Sequence, residues 1–557
     1  MLKIFVLFFL TFFSLNTISE AQDIPALKRN GNATQLFVNG KPFLMISGEL
    51  HNSSSSSLDY LEPVWPGLKN LNLNSVIASI SWEQFEPKED VFDFTLVDGI
   101  IQKAKEFNLK LCLIWFGTWK NGQSSYTPMW VKKDIKRFFR VKDKNGNNLE
   151  VISPFCMEAM RADAKAYATL MKHIKKVDKD YTVIVMQVNN EVGIKQDIDY
   201  CQESLSSFQS EVPVRLMDFL IRNKNTLNDE FKVVWALNGY KTKGTWIEIF
   251  GDNPAAKEFF MAWHYAKYLN EISKEGKKEY NLPMYVNAAL MHYPHELPGS
   301  YLNGGPVAHV LDIYKAAAPD IDFCAPDIYL PAFKNTCKIY TRDDNPLFIP
   351  ECTMDAGKAF YAFAEHDAIC FAPFGIDGAI NVVNLGLAYQ VLNELSTEIL
   401  HYQGTGRMHG FIRENNETGT ELQMGKYIFK ISYGRKEEPA YGLIIQKEDD
   451  EFIFAGINFR VVIAAVDKNK KGVIGQVWEG KYMENKWIPL RLLNGDETSI
   501  NRVLMATGRK LFPYYVTAKD KLLPSSQMIL QSKLVKNYSS KIKSPSIYKV
   551  TMYTHDL

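Results

Sequence analysis

Between about Pro42 and Leu400, short apolar runs alternate with longer segments in which apolar residues recur every three or four positions. That alternation is the sequence form of repeated βα units, and it commits the strands to a parallel sheet covered by helices. Eight runs qualify as strands: Phe43–Ser47, Ser75–Ser79, Lys110–Trp115, Thr182–Val188, Met284–Ala288, Asp322–Ala325, Leu347–Pro350 and Ile369–Ala372. Segments 97–107, 159–177, 257–277 and 308–317 carry the helical spacing between them. The expected fold is α/β, a (β/α)8 TIM barrel over residues 22–400. A ninth run, Phe231–Leu237, competes for a place in the sheet. It is assigned to a long excursion after the fourth strand, because Gly239, Lys241, Lys243 and Gly244 follow it rather than a helix.

After Leu400 the pattern changes. His401-Tyr402-Gln403-Gly404-Thr405-Gly406 reads as a linker, and the alternating segments Lys426–Ser432, Tyr441–Gln446, Glu451–Ile457 and Val473–Trp478 are separated by turn residues. Residues 405–557 are therefore expected to form an all-β domain, a sandwich, serving either as a carbohydrate-binding module or as a structural brace for the barrel. A length of 557 residues exceeds what one core supports, which agrees with two domains.

At the start of the chain, Lys3, the apolar run Ile4–Leu15 and the small residues Ser19 and Ala21 have the form of a signal peptide over residues 1–21. The expectation is an exported protein, periplasmic or secreted, with no membrane anchor after cleavage. With 64 Lys+Arg against 63 Asp+Glu the chain offers no basic footprint for nucleic acid or anionic membrane. Seven scattered cysteines give neither a disulfide framework nor a CxxC pair, and no HExxH occurs, so no metal or other cofactor is expected. Tyr, Phe and Trp make up 13% of the residues, which suits faces for sugar rings and two ordinary cores equally well.

Two of the strands end in glutamate. Val183-Ile184-Val185-Met186-Gln187-Val188-Asn189-Asn190-Glu191 closes the fourth, and Leu347-Phe348-Ile349-Pro350-Glu351 the seventh. The C-terminal tips of barrel strands carry the chemistry of this fold, and a carboxylate pair is the minimum equipment of a glycosidase. In a retaining enzyme one carboxylate attacks the anomeric carbon while the other protonates the leaving oxygen, across roughly 5 to 5.5 Å. Asn190 beside the acid can donate to a sugar 2-hydroxyl, a bond that strengthens as charge develops. Glu49 and Asn287 end the first and fifth strands and should face the same mouth.

The stretch Met186-Gln187-Val188-Asn189-Asn190-Glu191-Val192-Gly193 resembles the acid/base motif of family 35 glycoside hydrolases, the β-galactosidases of clan A. Ser47-Gly48-Glu49-Leu50-His51 and Trp82-Glu83-Gln84-Phe85-Glu86-Pro87 with Phe92-Asp93-Phe94 are similar to that family's first- and second-strand motifs. The all-β tail is like that of a bacterial branch with a single C-terminal domain. The resemblance implies Glu191 as acid/base, Glu351 as nucleophile, Asn190 as a 2-hydroxyl ligand and Tyr329 as the residue that positions the nucleophile. It implies an exo-acting β-galactosidase working on oligo- or polysaccharides by double displacement, with a carbohydrate as its only partner. Two departures stand out. His51 is followed by Asn52 and a serine run, read as a solvated loop, and the third strand ends Trp115-Phe116-Gly117-Thr118-Trp119-Lys120-Asn121, where animal members carry a sugar-binding glutamate. Trp115 and Trp119 are candidates for a stacking floor, and Trp235 and Trp246 for outer subsites. Another clan A retaining glycosidase, an arabinosidase or β-glucosidase, and a non-catalytic carbohydrate-binding barrel are the alternatives.

Overall fold

The computed structural model describes residues 23–293, 296–379, 382–500, 502–510 and 543–557; the signal-peptide expectation lies outside them. All eight expected strands form, and they close into a barrel. They run Met45–Ile46, Ser75–Ser81, Lys110–Lys120, Val183–Asn190, Met284–Ala289, Phe323–Ile328, Phe348–Ile349 continuing as Glu351–Cys352, and Cys370–Phe371. Neighbours pair in parallel in chain order, with Ser75 opposite Lys110, Leu113 opposite Met186, Tyr285 opposite Phe323 and Asp327 opposite Glu351. Glu49 completes the circle, bridging Ile77 on one side and Phe374 on the other. Its strand also takes Met45 N–H to Ile369 O (3.0 Å) and Ser47 N–H to Phe371 O (3.0 Å).

Strands covered on both faces need apolar, β-branched residues throughout, and every residue of Val183–Asn190 is buried. Inside the barrel Ile77, Ile114, Val185, Tyr285, Phe323 and Phe348 form one cluster. A three-stranded antiparallel sheet, Ala26–Asn30, Ala33–Val38 and Lys41–Phe43, adds Leu36 and Val38 to that cluster. Its second turn is the two-residue Asn39-Gly40, both with positive φ (52° and 73°), the geometry in which Asn-Gly is favoured because it matches strand twist. This sheet is an addition to the fold expected from the sequence.

The ninth apolar run is helical. Asp229–Leu237 starts at Asn228, whose side chain accepts from the N–H groups of Glu230 and Phe231, and it lies in the excursion after the fourth strand. Trp235 and Trp246, expected there as sugar-facing rings, are both 1% exposed. Each is walled in by aromatic neighbours, Tyr240 against Trp235 and Phe250 and Phe260 against Trp246. The serine run is likewise not a solvated loop: Ser54 and Ser55 are buried, with Ser54 Oγ donating to Asp377 Oδ2 (2.6 Å) and Ser55 Oγ meeting Ser79 Oγ (3.3 Å).

Beyond the barrel, a six-stranded antiparallel sheet (Met408–Ile412, Tyr441–Gln446, Glu451–Ile457, Ser546–Asp556, Lys470–Met483, Lys486–Leu492) faces a four-stranded one (Gly419–Met424, Tyr427–Tyr433, Phe459–Ala465, Val503–Ala506). Phe429, Phe452, Phe454, Phe459 and Val461 fill the space between them, as in a sandwich. The sandwich rests on helix Ala356–Glu365, which directly follows the strand bearing Glu351. Glu365 Oε2 accepts from His409 Nδ1 and Gly410 N–H, both at 3.0 Å, and Phe360 packs on Tyr441. A Cβ on Gly357 would lie 2.6 Å from the Tyr441 ring, so this contact needs glycine for its closeness. Among the described residues no helix is long and apolar enough to cross a membrane.

A candidate active site at the barrel mouth

The tip of the fourth strand is shaped by two non-glycine residues in the left-handed region, Asn189 (φ 59°) and Glu191 (φ 43°), on either side of Asn190. Such conformations cost roughly 1 to 3 kcal/mol each and persist only where their surroundings hold them. Here they are held on all sides. Asn189 Oδ1 accepts from Trp119 N–H (2.7 Å), Asn190 O from Asn121 N–H (3.2 Å), and Glu191 O from Gly122 N–H (3.0 Å). Asn287, from the neighbouring fifth strand, accepts from Glu191 N–H at 2.9 Å. The result brings Asn190 and Glu191 into the mouth from consecutive positions, which a regular strand would send to opposite faces.

Glu351 reaches the same mouth from the seventh strand. Tyr329 OH donates to its Oε2 (2.6 Å) and Asn190 Nδ2 approaches its Oε1 at 3.4 Å, so donors meet both oxygens. Glu191, Asp327 and Glu351 each contribute a carboxylate oxygen to a group lying within 4.8 Å of one another. Three such oxygens are a donor set of the kind a hard cation takes; protons shared among them relieve the same repulsion.

The environments differ in their electrostatics. Burial, and then the charge of Glu351, raise the proton affinity of Glu191, against lowering by Lys120 and by a hydrogen bond with Asp327. Asp327 is pushed well above the ordinary carboxylate range by burial and by Glu351, Glu191 and Glu49. Glu49 is also raised, first by burial and then by Glu351; it is 1% exposed and neither carboxylate oxygen has a hydrogen-bond partner. Burial and the Glu351 charge keep the Tyr329 hydroxyl protonated, as a donor to that glutamate must be.

Several expected site residues change role. Trp115 and Trp119 are fully buried and form no stacking floor. The cause is a bulge in the third strand: Trp115 pairs with Val188 and Lys120 with Asn190, so five steps on one strand meet two on the other. Asp163 anchors the extra residues, accepting from Trp115 Nε1 (2.6 Å), Thr118 N–H (2.9 Å) and Thr118 Oγ1 (2.6 Å). Trp119 turns inward onto Tyr265 and Tyr268. Asn287 is 1% exposed and engages protein at both ends of its amide, Oδ1 to Glu191 N–H and Nδ2 to Asp327 Oδ2 (2.7 Å). It ties the tip of the fourth strand to that of the sixth, with both ends of its amide on protein.

The bulge delivers Lys120, which the sequence reading passed over. Its Nζ donates to Asn190 Oδ1 (3.0 Å) and Asn121 Oδ1 (2.6 Å), fixing which end of the Asn190 amide points toward Glu351. Asp327 was also missed. Its signal was present, since it sits two residues before Tyr329 at the end of the sixth strand. Lys120 also lines an open cleft of about 520 Å³, together with Asn52, Asn121, Tyr126, Lys132 and Arg140.

Residues 65–252, which hold Glu191 and the bulged third strand, match a family 42 glycoside hydrolase model described as β-galactosidase. Residues 385–505 match a domain of unknown function. Among curated proteins none matches the chain. The β-galactosidase of Bacillus circulans sp. alkalophilus is similar over 59% of this chain and 50% of its own, at 16% identity and a TM-score of 0.39. For the catalytic domain of the β-amylase of Paenibacillus polymyxa the shares are 65% and 98%, with 14% identity and a TM-score of 0.44. For the β-galactosidase of Marinomonas ef1 they are 64% and 60%, with 11% identity and a TM-score of 0.43. The chain thus spans about half the length of the first of these galactosidases.

Proposed function

Starting from a β-galactosidase family model that covers the acid strand, we propose that this protein is a retaining, exo-acting clan A β-galactosidase. One observation carries the reading: Glu191 and Glu351 each bring a carboxylate oxygen to one place, within 4.8 Å of each other, the close approach that double displacement needs. Glu351, met by donors from Tyr329 and Asn190, attacks the anomeric carbon. Glu191 protonates the glycosidic oxygen as the bond to the leaving group breaks. Once Glu351 is esterified its charge is gone, the proton affinity of Glu191 falls, and Glu191 accepts a proton from the water that releases the sugar. Asn190, whose Nδ2 lies 3.4 Å from Glu351 Oε1, is the proposed donor to the sugar 2-hydroxyl.

The motifs around Glu49, Trp82 and Glu191 favour family 35 within the clan, while the matching family model is that of family 42. The third-strand end Trp115–Asn121 holds no glutamate where animal members carry a sugar-binding one, and the two glutamates define the mechanism better than the sugar, so an arabinosidase or β-glucosidase is the second reading. The first residues of the chain support export to the periplasm or medium, where plant or microbial polysaccharide side chains are substrates. A panel of nitrophenyl glycosides tests the proposal. Fastest cleavage of the β-galactoside is the expected result; preference for another glycoside moves the assignment to the second reading, and cleavage of none removes the enzyme reading in favour of a binding barrel.

A further inference from the structure

The mechanism above uses two of the carboxyl groups in the mouth and leaves Asp327 without a role. Asp327 is 2% exposed, at the end of the sixth strand between the strands of Asn287 and Glu351. Its Oδ2 accepts from Asn287 Nδ2 at 2.7 Å, and its Oδ1 is buried and meets no N–H or hydroxyl donor. The group that Asp327 does reach is the Glu191 carboxyl. Asn287 holds both partners of this contact at once, with its amide oxygen on the Glu191 backbone and its amide nitrogen on Asp327. Two carboxyl groups clamped this way cannot both be ionised without a strong repulsion in a buried place.

We propose that Asp327 is a positioning residue that stays protonated through the catalytic cycle and donates a hydrogen bond to the Glu191 carboxyl. When Glu191 passes its proton to the leaving oxygen, the proton of Asp327 stays on Asp327, and its hydrogen bond stabilises the new Glu191 carboxylate. The same bond holds that carboxylate toward incoming water in the second step. A neutral buried carboxylic acid acting as a donor is a known device for stabilising negative charge formed during a reaction.

The charges around Asp327 decide which of the pair keeps the permanent proton. Glu351, Glu191 and Glu49 face it, Tyr329 and Tyr340 lie beside it, and the Lys120 cation acts on Glu191 and Glu49. Glu191 is half-buried and Asp327 fully so, hence ionisation is easier at Glu191. The inference rests on Glu191 as acid/base, and its test has an arm independent of turnover.

Asp327→Asn keeps a neutral donor of the same shape, and Asp327→Ala removes it. On nitrophenyl galactoside, or whichever glycoside the wild type cleaves, the Asn variant should retain kcat within about tenfold and the Ala variant should lose about 10²- to 10³-fold, the range for removing one charge-stabilising donor. The pH profile of kcat/KM should keep its shape in the Asn variant. Matched thermal midpoints of the two variants show that the difference is not unfolding. In parallel, infrared difference spectra of wild type minus Asp327→Asn at pH 7 should show a protonated-carboxyl C=O band that the variant lacks. An Asn variant as impaired as Ala, two variants both equal to wild type, or a missing carboxyl band would each overturn the proposal. If no glycoside is turned over, the function proposed above fails, while the infrared arm still decides the state of Asp327.

Discussion

The two catalytic candidates occupy one mouth in opposite surroundings. Glu351 comes from a strand end of ordinary backbone and is met by donors, Tyr329 at 2.6 Å and Asn190 at 3.4 Å. Glu191 sits on strained backbone and is met by carboxyl groups, Asp327 and Glu351, with Lys120 as counterweight. Donors around a carboxyl group suit a nucleophile and acidic neighbours suit a proton-bearing acid, so the surroundings of the two glutamates match the different roles proposed for them.

The largest test of that contrast is removal of each carboxylate in turn. Glu351→Gly should lower kcat by about 10⁵-fold, and azide should restore turnover with an inverted α-glycosyl azide as product. Glu191→Ala should lose about 10²- to 10⁴-fold on substrates with poor leaving groups and much less on dinitrophenyl glycosides, and azide should give the β-anomer. Product anomers read by NMR then separate the two roles; the same anomer from both variants would break the comparison. A smaller effect belongs to the donor side. Tyr329→Phe should cost about 10²-fold in kcat with KM nearly unchanged, as expected of a donor to the reacting carboxylate; an unchanged kcat would remove Tyr329 from the site.

The smallest effect is thermodynamic. Glu49, Glu191 and Asp327 all bind protons more tightly folded than their ordinary values of 4.5, 4.5 and 3.8. Above those values the folded protein therefore holds protons that the unfolded chain has released, so the contribution of these three groups to stability is greatest at acidic pH and declines as pH rises through the folded-state values. The slope is at most about 1.4 kcal/mol per pH unit for each group. Glu49→Gln removes a buried carboxylate that has no hydrogen-bond partner. Calorimetry should find its thermal midpoint about 2 °C above wild type at pH 8, with the gap closing toward pH 5. A gap independent of pH would mean that Glu49 binds its proton no more tightly in the folded protein than in the unfolded chain.

Most of the barrel was legible because strands buried on both faces must be written as apolar runs, and all eight runs assigned to strands, from Phe43–Ser47 to Ile369–Ala372, contribute to the barrel. The run Phe231–Leu237 shows the limit of that signal, since an equally apolar stretch became a helix under Asn228 capping and two acids in its first turn. The N-terminal sheet was missed although Asn39-Gly40 is a strong turn signal, because the eight βα units already accounted for the fold. Glu191, Glu351 and Asn190 were legible as strand-end polar residues next to apolar runs, and Tyr329 only through the resemblance to a family. Trp115, Trp119, Trp235 and Trp246 were misread, because a tryptophan near a strand end or in a long loop has the same sequence appearance whether it faces a ligand or a core.

By itself the sequence determined the layers, the number of strands and which carboxylates stand at strand ends, because burial and periodicity act locally and leave a local record. Only the tertiary structure decided that the third strand bulges to bring Lys120 against Asn190, that Asn287 clamps two strands, and that Asp327 shares the pocket of the acid. Those facts depend on distances between residues far apart in the chain, and hydrogen bonds across strands leave no periodic trace along any one of them.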